Sequence, residues 1–144
     1  ICHRDITPDN VIVLGEQPEF RVTLIDFGVA KHEYTSQGTM DGSIMGKPPY
    51  MSPEQCRNDS IDGRSDVYSA GMLFYTMVTG DPPFTDDHPL QVMQLHEQAP
   101  RPDLPTHIPD QVSSLVYRMV RKDRDQRPEA AEVVRAIKHL QVAG

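Results

Sequence analysis

The sequence predicts an α+β fold, with one small β-hairpin followed by a mainly helical body. Three observations lead there. Two short apolar runs flank a turn between Val11 and Ile25, a 29-residue stretch from Asp26 to Glu54 lacks any periodicity, and helical spacing governs the rest. At 144 residues the chain fits one domain with a core of its own.

Within the hairpin, Val11 to Leu14 run out, Gly15 to Glu19 turn around Pro18, and Phe20 to Ile25 return. A structureless segment as long as 26–54 is usually functional or disordered. The spacing next predicts a helix capped by Ser65 or Asp66, running to Thr79 and ended by Gly80. Its middle, Tyr68 to Val78, is almost without charge and is expected to be buried on every side. Pro82 and Pro83 break the chain before a weaker helix over Leu90 to Glu97. Two amphipathic helices close it. One aligns Val112, Leu115, Val116, Met119 and Val120; the other aligns Ala130, Val133, Val134, Ile137 and Leu140, with Pro128 suited to its first turn.

Composition removes several function classes. Hydrophobic residues make up 38%, charged residues 24% and aromatics 6%, as in globular proteins. A net charge of −7 without a basic stripe argues against a nucleic-acid surface. Cys2 and Cys56 lie outside any CxxC or Cys/His cluster, which argues against a zinc site or a disulfide framework and fits a reducing cytosol. Apart from His3, the six histidines read as surface or ordinary packed residues. No apolar stretch approaches the ~18–20 residues that cross a bilayer. The chain opens at Ile1 inside a motif, which suggests a piece of something longer.

Two constellations carry chemistry. His3-Arg4-Asp5 is followed by Pro8 and by Asn10, five residues after the aspartate; Asp26-Phe27-Gly28 follows the apolar return strand. Phosphoryl transfer needs a carboxylate for the attacking hydroxyl and oxygen ligands for Mg²⁺, and the two ends of one hairpin bring two acids and an amide toward one point. HRDITPDN followed by LIDFG resembles the catalytic and metal-binding loops of protein kinases. Lys47 to Glu54 is similar to their substrate-receiving loop, Asp66 to Gly71 to the start of their central helix, and Gly80 to Phe84 and Arg127-Pro128 to later landmarks. The wording resembles bacterial Ser/Thr kinases most.

The resemblance implies a kinase-like C-terminal lobe over 1–144, with ATP and Mg²⁺ as cofactors and protein Ser/Thr hydroxyls as acceptors. It implies Asp5 as catalytic base, Asn10 and Asp26 as magnesium ligands, and Arg4 as receiver of a phosphate on the loop at Thr35, Ser36, Thr39 or Ser43. It further implies a buried Glu54–Arg127 pair, and a packed column of His3, Phe27 and Asp66 beside Gly28. Two departures stand out. Thr7 occupies the place of a usual lysine, while Lys47 occupies that of a usual threonine, so the cation at the transferred phosphate is expected from Lys47. No Gly-rich loop, Val-Ala-Ile-Lys strand or adenine hinge is present, so the N-terminal lobe is expected to be absent and the isolated chain inactive. A cytoplasmic setting is expected, with any membrane anchor of the parent outside this segment. A non-catalytic kinase-like binding module and a small-molecule phosphotransferase are the competing readings. Intact Asp5, Asn10 and Asp26 count against the first, and the Ser-Pro-Glu loop end with Glu54 and Arg127 counts against the second.

Overall fold

The computed structural model describes residues 1–27, 44 and 46–142. Strands β1 (Val11–Leu14) and β2 (Arg21–Leu24) pair antiparallel, with Val11 opposite Leu24 and Leu14 opposite Arg21. Among the described residues five α-helices follow: α1 (Pro53–Cys56), α2 (Gly63–Thr79), α3 (Pro89–Gln98), α4 (Asp110–Met119) and α5 (Ala130–Val142). A 3₁₀ turn, Pro8–Asn10, leads into β1, and another, Pro48–Tyr50, precedes α1.

Helix α2 is the axis of the body. Tyr68, Met72 and Tyr75 are buried in one cluster with Tyr50, Phe84, Val92, Leu104, Val116 and Val120. A second cluster joins Val67 of α2 to Leu115, Met119 and Val133. Gly71 explains how closely α2 and the end of α4 approach, because a Cβ there would lie 2.5 Å from Val120 Cγ1. Gly80 ends α2 with φ 90°, in the left-handed region that glycine tolerates.

Four sequence expectations need correction. The cap of α2 is Asp62, whose side chain accepts the Arg64 N–H; Ser65 and Asp66 lie inside the helix and turn to other partners. Burial of α2 is not complete, since Met77 is 73% exposed. Helix α5 begins after Glu129, whose N–H donates to the Glu132 carboxylate at 2.8 Å, so Pro128 stands just before the helix. Only part of the expected α5 face is covered: Val133 is buried and Leu140 packs against it with Ala136, while Val134 and Ile137 are exposed. Folding also gathers positive charge where the sequence shows no stripe, because Arg101, Arg118, Arg121 and Lys122 line one groove of about 660 Å³.

Candidate active site

The loop from His3 to Asn10 is held from beneath by α2. The Asp66 carboxylate accepts the backbone N–H groups of His3 (2.6 Å) and Arg4 (2.8 Å), and Gln55 Nε2 donates to the Arg4 carbonyl at 3.0 Å. These bonds over-determine a strained residue: Arg4 has φ 71°, which L side chains adopt at a cost. His3 is buried and ties the loop to the hairpin. Its Nδ1 accepts the Asp5 N–H (3.3 Å), so its Nε2 carries the proton and donates to the Ile25 carbonyl (2.9 Å). The Phe27 ring lies against it, with centroids 4.7 Å apart.

Asn10 locks the aspartate. Its Nδ2 donates to the Asp5 carbonyl (2.8 Å) and to Asp5 Oδ2 (3.0 Å). Both partners are acceptors, so the amide orientation follows, and Oδ1 is the atom that could coordinate a cation. The Ile25 N–H donates to the Asn10 carbonyl at 2.9 Å, which places Asp26 one residue beyond that bridge. Asp26 is exposed and has φ 55°. An amide oxygen and a carboxylate at the two ends of one hairpin are hard oxygen donors of the kind Mg²⁺ takes, so the donor set fits that ion.

The second wall is the segment from Lys47 to Cys56. Lys47 pairs with Asp9 of the His3–Asn10 loop, both side chains half exposed or more. Thr7, two residues before Asp9, is buried. Ser69 Oγ of α2 donates to the Tyr50 carbonyl at 2.7 Å, and the Tyr50 hydroxyl meets that of Thr76 at 3.2 Å. Ser52 and Gln55 form a reciprocal capping box that starts α1. Glu54 then enters the core. Its carboxylate takes Arg127 Nη1 (2.6 Å), Arg127 Nη2 (2.7 Å) and Ser65 Oγ (2.6 Å). The remaining Arg127 donors reach the carbonyls of Arg121, Arg64 and Lys122, so every guanidinium N–H is used. Burial alone would raise the Glu54 pKa; the Arg127 and Ser65 hydrogen bonds outweigh it and hold the carboxyl below its ordinary 4.5.

The structure thus ties Asp5 to Asn10, sets Asp26 one residue beyond the bridge from Ile25 to Asn10, and pairs Glu54 with Arg127. The expected packed column is open on one side, because Phe27 touches His3 but is 54% exposed, while Asp66 holds the backbone of His3 and Arg4. Gly28 and the candidate phosphosites Thr35, Ser36, Thr39 and Ser43 lie outside the described residues. Sequence reasoning missed Gln55, Ser65 and Asp9. Gln55 had a signal, because Ser52 followed by Gln at the third residue is the capping-box pattern; Ser65 and Asp9 had none.

Comparison with known proteins agrees with this geometry. The chain is 36% identical over 141 residues to the serine/threonine-protein kinase PknB of Mycobacterium tuberculosis, covering 94% of this chain and 22% of the relative. It is 34% identical over 138 residues to the serine/threonine-protein kinase PkaA of Streptomyces coelicolor, covering 96% and 25%. It is 38% identical over 144 residues to the DNA damage-responsive serine/threonine-protein kinase RqkA of Deinococcus radiodurans, covering 97% and 21%. The chain therefore spans about a fifth to a quarter of these relatives. A family model described as the protein kinase domain matches residues 1–137, and the chain belongs to the protein kinase family.

Proposed function

We propose that this chain is the C-terminal lobe of an ATP-dependent serine/threonine protein kinase. The observation that carries the reading is the Asn10 amide fixed on Asp5 in a loop anchored by Asp66. Asp5 orients the acceptor hydroxyl and takes its proton as the oxygen attacks the γ-phosphorus and the bond to the departing ADP breaks. Asn10 Oδ1 and Asp26 hold Mg²⁺, which when bound neutralises charge on the phosphates. Lys47, on the segment facing the catalytic loop, supplies the positive charge that Thr7 does not. Its pairing with Asp9 supports this, since it shows that the ammonium reaches that loop. Arg4 receives a phosphate placed on Thr35, Ser36, Thr39 or Ser43, which orders the loop through charge-assisted hydrogen bonds.

No helix among the described residues is long and apolar enough to cross a membrane. We place the segment in the cytoplasm, acting on protein substrates. The isolated 144 residues are inactive on this reading, for the sequence holds no adenine-binding strand or hinge. Exposed Val13, Leu14, Phe20 and Val22 on the hairpin support a further covering element in the complete protein.

The test is Asp5→Asn in the complete kinase. Phosphotransfer to a peptide falls by roughly 10²–10⁴ while magnesium-dependent ATP binding persists. Near-normal turnover removes Asp5 from the role of base, and a wild-type protein that binds no nucleotide removes the kinase reading.

A further inference from the structure

Four of the 14 lysines and arginines, Arg101, Arg118, Arg121 and Lys122, line one groove of about 660 Å³. Its walls are the connector that follows α3 and, opposite in sequence, α4 with the residues just after it. The chain as a whole carries −7, so this gathering of cations runs against its average charge. Asp110 is the one carboxylate among the groove's described lining residues. It stands on the first residue of α4, where the free N–H groups of the helix favour an acid.

The cations are not spent on acids elsewhere. Among the described residues Arg118 has no ion pair and is exposed. Arg121 has a neutral partner, its Nη1 donating to Gln126 Oε1 at 3.2 Å. Lys122 donates to the carbonyls of Leu95 (3.2 Å) and His96 (2.6 Å) in the last turn of α3, which fixes its ammonium. Burial draws its pKa down to about 8, so it stays charged at neutral pH. The Arg101 guanidinium lies over the Tyr117 ring, 3.4 Å from the centroid, and the Tyr117 hydroxyl is itself fixed by accepting the Leu104 N–H at 3.0 Å. The Asp103 carboxylate stands 3.6 Å from Arg101 Nη1 on a side chain 91% exposed, and such a pair adds little. A guanidinium stacked by its face keeps its edge for parallel hydrogen bonds to a carboxylate.

An occupant of this groove is therefore anionic, and the other walls narrow its kind. Ala99, Pro100 and Val120 supply an apolar lining that a free inorganic anion does not use. The Tyr117 ring is half-buried and covered by Arg101, which removes the platform on which a base would stack. We infer that the groove is a docking site for an acidic segment of a protein partner, its carboxylates taken by Arg101, Arg118 and Arg121 and an apolar side chain seated on Ala99 and Pro100. The inference goes beyond phosphotransfer and does not rest on it, because the residues around Asp5 lie on other segments.

Fluorescence anisotropy of the complete protein with fluorescein-labelled Glu-Glu-Glu-Leu-Glu-Glu-Glu, read without nucleotide, tests the site. Saturable binding is expected. Arg118→Gln weakens it about tenfold, the worth of one charge-assisted hydrogen bond. Arg101→Lys keeps the charge but loses the stacked fork, and weakens it about threefold. Both side chains are exposed, so thermal midpoints stay at the wild-type value; Arg121→Gln, also exposed, reads the same groove where either variant loses stability. Absence of saturable binding, or binding that none of these changes weakens, overturns the inference. Wild-type affinity in Arg101→Lys reduces the groove to diffuse attraction and overturns it as well. Oligouridylate of equal charge that displaces the probe at equal or lower concentration assigns the groove to nucleic acid. Inorganic sulfate that does so at matched charge assigns it to a free anion, and either result overturns the docking of a peptide.

Discussion

The segment from Lys47 to Glu54 is fastened at both ends by an ion pair, and the two pairs are built differently. At its start Lys47 meets Asp9 with side chains 50% and 64% exposed; at its end Arg127 meets Glu54 at 0% and 4%. In the first pair water screens the attraction, and exposed pairs contribute about 0–1 kcal/mol to stability. In the second the charges are desolvated, and only a complete set of partners makes them tolerable. All the guanidinium hydrogens are used, and Ser65 adds a third donor to the carboxylate. The buried pair therefore behaves as a clamp, whereas the exposed one leaves its lysine able to exchange partners, as the role proposed for Lys47 requires.

Breaking the clamp gives the largest effect. Arg127→Met leaves Glu54 buried and uncompensated, and unfolding free energy falls by about 3–5 kcal/mol. Urea denaturation of the complete kinase measures it; a loss below ~1 kcal/mol would place Glu54–Arg127 in the same class as the surface pair. Lys47 sharpens the contrast from the other side. Lys47→Thr reduces peptide turnover by roughly 10²–10³, as for loss of one donor at developing charge, while the denaturation midpoint hardly moves. Thr7→Lys alone brings no gain, and combined with Lys47→Thr it recovers part of the rate. Simple additivity in that double-mutant cycle would show that positions 7 and 47 share no task.

A smaller effect separates burial from charge. Gly71→Val crowds Val120 and Met119 without altering any ion pair, and the strain costs about 1–3 kcal/mol. An unchanged midpoint would mean that the contact between α2 and the end of α4 yields freely. The smallest effect is read in acid. Because the folded Glu54 pKa lies below 4.5, its contribution is present above that pH and lost as pH falls through the folded value. Thermal unfolding below pH 4.5 should decline more steeply for the wild type than for Glu54→Gln. Parallel curves would show that the clamp does not depend on the Glu54 charge.

Much of this was legible in the chain because it depends on neighbours in sequence. The hairpin from Val11 to Ile25, the end of α2 at Gly80 and the order of the His3-Arg4-Asp5 and Asp26-Phe27-Gly28 motifs follow from apolar runs around a turn, left-handed glycine and fixed spacing. The capping box at Ser52 was equally local and was overlooked. Tertiary structure alone decided which residue does what at a distance. Ser65 and Asp66 carry the residue types of a helix cap, yet Asp62 caps α2 because the other two are drawn to Glu54 and to the backbone of His3 and Arg4. Val134 and Ile137 share helical spacing with Val133, yet which of them is buried depends on where α4 and α2 lie. His96 reads as an ordinary histidine until α2, α3, Phe84 and Lys122 enclose it. Local propensity is set by a few adjacent residues, whereas burial and the pairing of charges depend on groups up to 73 positions apart, a distance at which spacing alone carries no information.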